Sequence, residues 1–289
     1  MKSKVLITLR LTNSIGAKMG VSALLIIGEL INTSRKKIAP AVANRDAGYI
    51  KELARSQVEA GADMVDVNSG TMMKNEPEVL AWLVETIQAE VEAPLCLDSP
   101  NPEALERALS VHKGTAMLNS ISGEKKRFKE ILPLVKKYRT KVVALAMDDN
   151  GIPKTAEDRL KVASSLVESL TAAGVPAEDI YLDPLVQPIS TDSTAGVVIL
   201  ETLALIKSRL SGVHTICGLS NVSFGLPQRK LLNQAFIAMT MAVGLDSAIV
   251  DPLDERLMSL VTAANALRGD DLYCANYLEA YRKGRLTVA

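Results

Sequence analysis

Short apolar runs in this sequence repeatedly end in carboxylate or amide side chains. Met64-Val65 leads into Asp66-Val67-Asn68, Leu95-Cys96-Leu97 ends in Asp98-Ser99, and Ala116-Met117-Leu118 ends in Asn119-Ser120. Ile180-Tyr181-Leu182 ends in Asp183-Pro184, and the run 213–219 ends in Ser220-Asn221 after Gly218. Glu29, Asp148 and Asp251 follow three further runs. A carboxylate accepts hydrogen bonds in its own plane, whereas an amide both donates and accepts. Asp and Asn gathered around one slot would therefore grip a flat molecule with alternating donors and acceptors.

An aminopyrimidine edge offers such a pattern, a ring N–H beside an exocyclic NH₂, so the lining suits a heterocycle such as a pterin. A phosphate would call for Arg, Lys or a glycine-rich nest, and the strand ends carry no Arg or Lys. Clustered carboxylates also suit hard cations, but these acids share no close ligand spacing and no His-Asp-His group exists. No metal site is expected. The sequence has only two histidines. His112 falls at a helix end, facing solvent or the helix carbonyls, and His214 falls early in its strand, away from the polar ends. No Ser-His-Asp or Cys-His arrangement is available. An Asp after a strand is often just a helix cap or a turn residue. Asp148 and Asp251 read that way, and the segment 98–102 could be capping alone.

Polar residues converge at strand ends only if the strands are parallel and lie side by side. Apolar strand patterns cover 24–28, 64–68, 94–98, 115–119, 141–147, 179–183, 213–219 and 247–250. Helical patterns alternate with them over 49–60, 76–91, 102–111, 125–138, 155–173, 197–210, 228–243, 255–268 and 271–282. Strict alternation predicts a parallel sheet, and eight units predict closure into a single (β/α)₈ TIM barrel, with its site at the strand C-termini. That barrel should occupy 22–289, with residues 1–21 an N-terminal extension or a stretch ahead of a natural start at Met19. A barrel typically needs roughly 250 residues, so 289 suffice for one domain. No Gly-x-Gly-x-x-Gly or Walker loop follows any strand, which disfavours a doubly wound sheet.

Composition narrows the partners. The chain is 48% hydrophobic, and 33 Lys plus Arg balance 33 Asp plus Glu. Zero net charge argues against nucleic acid or an anionic membrane as the main partner, and the N-terminal apolar runs are too short to span a bilayer. The three cysteines, Cys96, Cys217 and Cys274, have no zinc or redox spacing. Cys96 and Cys217 read as plain buried thiols, and a reducing cytoplasm fits.

Taken together in this order, Ile26-Ile27-Gly28-Glu29-Leu30-Ile31-Asn32, Asp66-Val67-Asn68, Leu95-Cys96-Leu97-Asp98-Ser99, Asn119-Ser120, Asp183-Pro184 and Gly218-Leu219-Ser220-Asn221-Val222-Ser223 resemble the methyltetrahydrofolate:corrinoid protein methyltransferases. More distantly the sequence resembles the folate domain of cobalamin-dependent methionine synthase and dihydropteroate synthase. The resemblance implies a pterin-binding barrel, usually a homodimer, that moves a methyl group between N5 of tetrahydrofolate and the cobalt of a corrinoid. It implies that Asp98, Asn119 and Asp183 hold the pterin ring, that Asn221 reaches N5 as the catalytic residue, and that Gly218 and Ser220 form the floor beside it. Glu29, Asp66 and Asn68 complete the expected substrate-binding set. No Asp-x-His-x-x-Gly corrinoid motif is present, so the cobalamin is expected on a partner protein. Two departures stand out: Leu30 where the family has Arg, and Phe224-Gly225-Leu226-Pro227 after Ser223. A dihydropteroate synthase-like transferase would need a basic segment after the seventh strand, in place of which stands Ser220-Asn221-Val222-Ser223. That transferase and a non-catalytic pterin-binding subunit are the alternatives.

Overall fold

The computed structural model describes residues 23–288, so the expected extension at 1–21 lies outside the described residues. Eight strands close into a barrel in sequence order, each parallel to its neighbours, with the eighth paired to the first. They are β1 (Leu25–Asn32), β2 (Met64–Asn68), β3 (Leu95–Asp98), β4 (Met117–Gly123), β5 (Lys141–Asp148), β6 (Ile180–Asp183), β7 (His214–Gly218) and β8 (Ser247–Val250). Around them run α1 (Ile38–Ala43), α2 (Ala47–Glu59), α3 (Glu76–Gln88), α4 (Pro102–Val111), α5 (Lys125–Tyr138) and α6 (Ala156–Ala172). The circuit finishes with α7 (Ala195–Arg209), α8 (Arg229–Ala242), α9 (Glu255–Arg268) and α10 (Ala275–Arg282).

Each strand divides its side chains by period two. Val65, Val67, Leu95, Leu97, Leu118, Val142, Ala144, Ile180 and Leu182 point outward and pack under the helices with Ile50, Leu80, Leu105, Ile131 and Leu166. Ile26, Cys217, Ala248 and Val250 do the same on the other side, against Phe236, Ile237, Met241 and Leu257. The alternate residues fill the barrel: Ile27, Met64, Cys96, Met117, Val143, Tyr181 and Ile216 form one buried cluster. Two residues further along the same inward rows stand Glu29, Asp66, Asp98, Asn119, Asp183 and Gly218. The barrel interior therefore changes from apolar to polar within two residues of strand.

Several boundaries differ from the sequence reading. β1 does not stop at Gly28 but continues to Asn32, because a register shift between Gly28 and Ile31 lets it go on pairing with β2. Glu29 thus lies within a strand rather than after it. β4 runs past Asn119 through two register shifts to Gly123, with a cis peptide between Asn119 and Ser120. Helix α1 escaped the pattern because it is six residues long and contains Pro40; proline is tolerated in a first turn. The expected helix 271–282 is broken by left-handed Tyr273 and Cys274 into a 3₁₀ turn and α10. Asn101 caps α4 with Pro102 at its first turn, as the sequence predicts.

The histidines lie outside the mouth. His214 stacks on Tyr181, centroids 4.7 Å apart, with Nδ1 3.4 Å from Asp246. His112 is not turned to solvent. Its Nε2 lies 3.3 Å from the Leu95 N–H, where it accepts a hydrogen bond at the start of β3, and burial lowers its pKa.

Gly28 faces α2 so closely that an added Cβ would sit 2.4 Å from Gln57 Oε1, the atom that accepts a 3.0 Å hydrogen bond from Leu30 N–H. Gly28→Ala should lower stability by about 1–3 kcal/mol, through overpacking and loss of that buried bond. A urea midpoint that falls at constant m-value is the expected result; an unchanged midpoint would mean Gln57 swings aside freely.

Candidate functional site

Parallel pairing sets the level of each polar residue. Asn32 is the register partner of Asn68, Asn68 of Asp98, and Asp98 of Asn119. These four therefore stand side by side across adjacent strands at the C-terminal end of the barrel. Asn68 Nδ2 donates to Asp98 Oδ2 at 2.8 Å, and Asn68 Oδ1 accepts from Gly70 N–H at 3.0 Å. With both amide atoms engaged, Asn68 holds one Asp98 oxygen, and the other, Oδ1, has no hydrogen-bond partner among the described residues.

Asp66 sits one layer deeper. It is only 3% exposed, within hydrogen-bonding reach of the Cys96 thiol and the Asn119 amide, and its Oδ1 has no partner among the described residues. Burial first, and then the Asp98 charge, push its carboxyl well above the usual range. Burial likewise raises Asp98, against the Asn68 hydrogen bond and the Arg127 charge. Cys96 faces inward beside both acids, and burial together with their charges pushes its thiol far up. Cys217, on the outward side of β7, is also buried and raised.

Across the barrel, Asp183 accepts from Leu185 N–H at 2.7 Å and from the Gly218 N–H. Burial lifts its pKa to about 6, opposed by those two bonds and by Arg159. Gly218 has no side chain to spare: a Cβ there would lie 3.2 Å from Asn221 Nδ2. Asn221, exposed in the 3₁₀ turn Leu219–Ser223, thus folds its amide back over Gly218. Among the described residues that amide has no hydrogen-bond partner. Asp183, Gly218 and Asn221 form one contiguous wall.

A third group joins β1 to β7 and β8. Glu29 accepts from Arg35 Nη2 at 2.6 Å and from Ser220 Oγ at 3.0 Å. Burial raises its pKa, Arg35 and Ser220 lower it, and nearby Asp251 raises it again. These residues line a cavity of about 360 Å³ with Arg229 and Lys230. Arg229 donates to the Ser220 carbonyl at 2.7 Å and to Ser223 Oγ at 3.1 Å.

The structure thus brings Glu29, Asn68, Asp98, Asn119, Asp183, Gly218, Ser220 and Asn221 to one end of the barrel, with Asp66 beneath them. Asp148 and Asp251 are turn residues, accepting from Asn150 N–H at 2.8 Å and Leu253 N–H at 2.9 Å; Asp251 also faces the Glu29 cavity. Among the described residues no group of three or more His, Cys, Asp or Glu is arranged to hold a metal ion.

The mouth does hold cations. The strand ends lack them, but Arg35, Arg229 and Lys230 reach in from the segments that follow β1 and β7. Arg127 and Arg159 also escaped the sequence reading. A signal existed. Arg127 precedes Ile131 and Leu134 on the buried stripe of α5, and Arg159 lies among Ala156, Leu160 and Ala163 on that of α6. A cation on the apolar stripe of an amphipathic helix has to find polar partners inside.

Comparison with known proteins finds relatives across the whole barrel. The family model described as pterin binding enzyme matches residues 28–251. A methylcorrinoid:tetrahydrofolate methyltransferase from Eubacterium limosum is 36% identical over 265 residues, 91% of this chain and 98% of that protein. Methionine synthase from Mycobacterium tuberculosis is 29% identical over 242 residues, 79% of this chain but 20% of its own length. Among solved structures, dihydropteroate synthases from Clostridium difficile (TM-score 0.66, 21% identity, 86% of this chain and 97% of that one) and Yersinia pestis (TM-score 0.63, 16%, 86% and 95%) share the fold. The chain belongs to the pterin-binding enzyme family, among the methyltetrahydrofolate:corrinoid protein methyltransferases.

Proposed function

We propose that this protein moves a methyl group between N5 of tetrahydrofolate and the cobalt of a corrinoid carried by a partner protein. One observation carries the reading: Asp98 and Asn119, register partners on β3 and β4, stand at the same end of the barrel as Asp183, the last residue of β6, and an amide with no hydrogen-bond partner among the described residues, Asn221, folds over Gly218 after β7. The two carboxylates take the N–H donors of the aminopyrimidine edge. Gly218 and Ser220 form the floor beside N5.

Transfer onto N5 is a displacement. The N5 lone pair forms the new bond to carbon, the cobalt–carbon electron pair stays on cobalt as cob(I), and the N5 proton must leave. In reverse, N5 is a poor leaving group unless a proton or a strong hydrogen bond reaches it as the bond breaks. Asn221 can donate to N5 or accept from its proton, which suits either direction. The name of the Eubacterium limosum relative puts methylcorrinoid first, and cobalt-to-nitrogen transfer is the direction to assay first.

The same reading has the protein as a cytoplasmic homodimer of single-barrel chains. Supporting the dimer, α10 buries none of its residues and, with the turn before it, exposes Tyr273, Tyr277 and Tyr281. Supporting the compartment, Cys96 and Cys217 are buried and unpaired, and no helix among the described residues is long and apolar enough to cross a membrane. A second reading, a dihydropteroate synthase-like transferase, draws on Arg35, Arg229 and Lys230, which could face an anionic leaving group. The 36% identity to a corrinoid methyltransferase weighs against it. A non-catalytic pterin-binding subunit would bind folate without exchange.

Mixing the protein with methylcob(III)alamin and tetrahydrofolate should produce the cob(I)alamin spectrum and methyltetrahydrofolate. Folate binding without exchange would leave the non-catalytic subunit, and condensation of hydroxymethylpterin pyrophosphate with p-aminobenzoate would favour the second reading. Asn221→Ala should lower the transfer rate about 10²-fold or more while tetrahydrofolate affinity changes only a few-fold; equal losses would remove its transition-state role.

Asp183 must be ionised to accept ring donors. Its pKa is about 6, so affinity should be full above that value and fall as pH drops through it, by about tenfold per unit. Asp183→Asn should flatten the profile near pH 6 in a titration of binding against pH.

A further inference from the structure

Arg127 and Arg159 are two cations that the mechanism above leaves unused. Both lie on buried helix stripes, and Arg159 is only 4% exposed. Among the described residues neither has a carboxylate within salt-bridge distance; each is bonded to backbone carbonyls instead. Arg127, from α5, donates through Nε to Ser120 O at 2.9 Å, through Nη2 to Ser99 O at 2.9 Å and through Nη1 to Pro100 O at 2.5 Å. Those carbonyls follow Asp98 on β3 and Asn119 on β4. Arg159, from α6, donates through Nε to Pro153 O at 2.9 Å and through Nη1 to Leu185 O at 3.0 Å and to Pro184 O. Those follow β5 and follow Asp183 on β6. One device occurs twice: a guanidinium fork ties together backbone carbonyls on or just after two neighbouring strands, one of which carries the carboxylate.

We propose that Arg127 and Arg159 are positioning residues for ring binding, Arg127 setting the geometry and charge of Asp98 and Arg159 those of Asp183. The proposal rests on the reading of Asp98 and Asp183 as the ring-binding carboxylates. A guanidinium bonded to neutral carbonyls keeps its full charge, and in buried or half-buried surroundings that charge favours the ionised form of the nearby acid. Arg127 opposes the rise in Asp98, and Arg159 opposes the rise in Asp183.

Other groups bear on both acids. Around Asp98 stand Asn68 and Asp66 on β2, Cys96 on its own strand, Asn119 on β4 and Glu76 on α3, with Glu124 and Glu130 beside Arg127. Around Asp183 stand the Leu185 and Gly218 N–H groups and Cys217 on β7, with Asp192 beside Arg159 and Lys154 beside Asp192. In each set the arginine is the cation whose charge opposes the rise of the carboxyl. Without it, the acids and the low-dielectric surroundings would hold the carboxyl protonated further into the working pH range. A protonated acid offers a donor where the ring needs an acceptor.

Fork and charge separate by substitution. Arg159→Lys keeps the charge and loses the fork, whereas Arg159→Gln keeps a donor and loses the charge; Arg127 takes the same pair. The full chain, labelled with ¹³C at the Asp carboxyls and assigned with Asp183→Asn and Asp98→Asn, is titrated by NMR without ligand. The Gln variants should raise the midpoint of the matching Asp by about one pH unit, leaving the other Asp in place, and the Lys variants should stay near wild type. Tetrahydrofolate binding against pH should follow. Each Gln variant should move its profile upward by the same amount, and each Lys variant should weaken binding about equally at every pH. Unmoved carboxyl titrations in both Gln variants would overturn the proposal. Shifted titrations with no tetrahydrofolate binding by wild type would leave the arginine–carboxylate pairing intact and overturn the ring-binding reading instead.

Discussion

Parallel pairing around a closed barrel admits one register, and the mouth depends on it. Because successive side chains on a strand point to opposite faces, the inward row of β2 reads Met64, Asp66, Asn68 while Val65 and Val67 pack under helices. Each neighbouring strand repeats the change from apolar to polar at a matching level, with Asn68, Asp98 and Asn119 as direct register partners. A slip of one residue on any strand would turn its acid or amide out into the helix layer and bring a Val or Leu into the slot. The burial that stabilises the fold and the geometry of the site are thus fixed by the same pattern.

Placing acids at the top of a packed barrel has an energetic consequence. Burial raises Glu29, Asp66, Asp98 and Asp183 alike, so the ligand-free protein holds carboxyl groups in surroundings that disfavour their charge. The structure answers differently at each depth. Asp66, the deepest, lacks a cation partner, and burial and the Asp98 charge raise it well above its usual range. Asp98 and Asp183, nearer the mouth, have hydrogen-bond donors and an arginine behind them. Glu29 has Arg35 and Ser220. A ligand that brings N–H donors would complete what the protein leaves open at the middle level.

Much of this was legible in the sequence, for an identifiable reason. The strands and most helices follow from hydrophobic periodicity, and β2, β8, α4, α5 and α9 have the expected bounds. The polar strand ends were visible as abrupt changes of residue type. What the sequence hid depends on contacts between distant segments. The bulge that carries β1 past Gly28 shows only in its pairing with β2. The depth of Asp66 relative to Asn68 depends on where the barrel interior closes. Arg35, Arg229 and Lys230 enter the mouth from segments whose path no local pattern specifies. His112 looked like a helix-end residue facing water because its partner at Leu95 lies seventeen positions earlier, on the next strand inward.

Cys96 stands next to two carboxyl groups inside the barrel, sealed from solvent. The nucleophilic form of cysteine is the thiolate, and here both the dry surroundings and the adjacent negative charge suppress it. Cys217 is quenched in the same way by burial. A barrel that handles an electrophilic one-carbon unit thereby carries sulfur in its wall without offering a competing acceptor. Self-alkylation, the natural hazard of such chemistry, is kept from these two positions by the proton each sulfur holds.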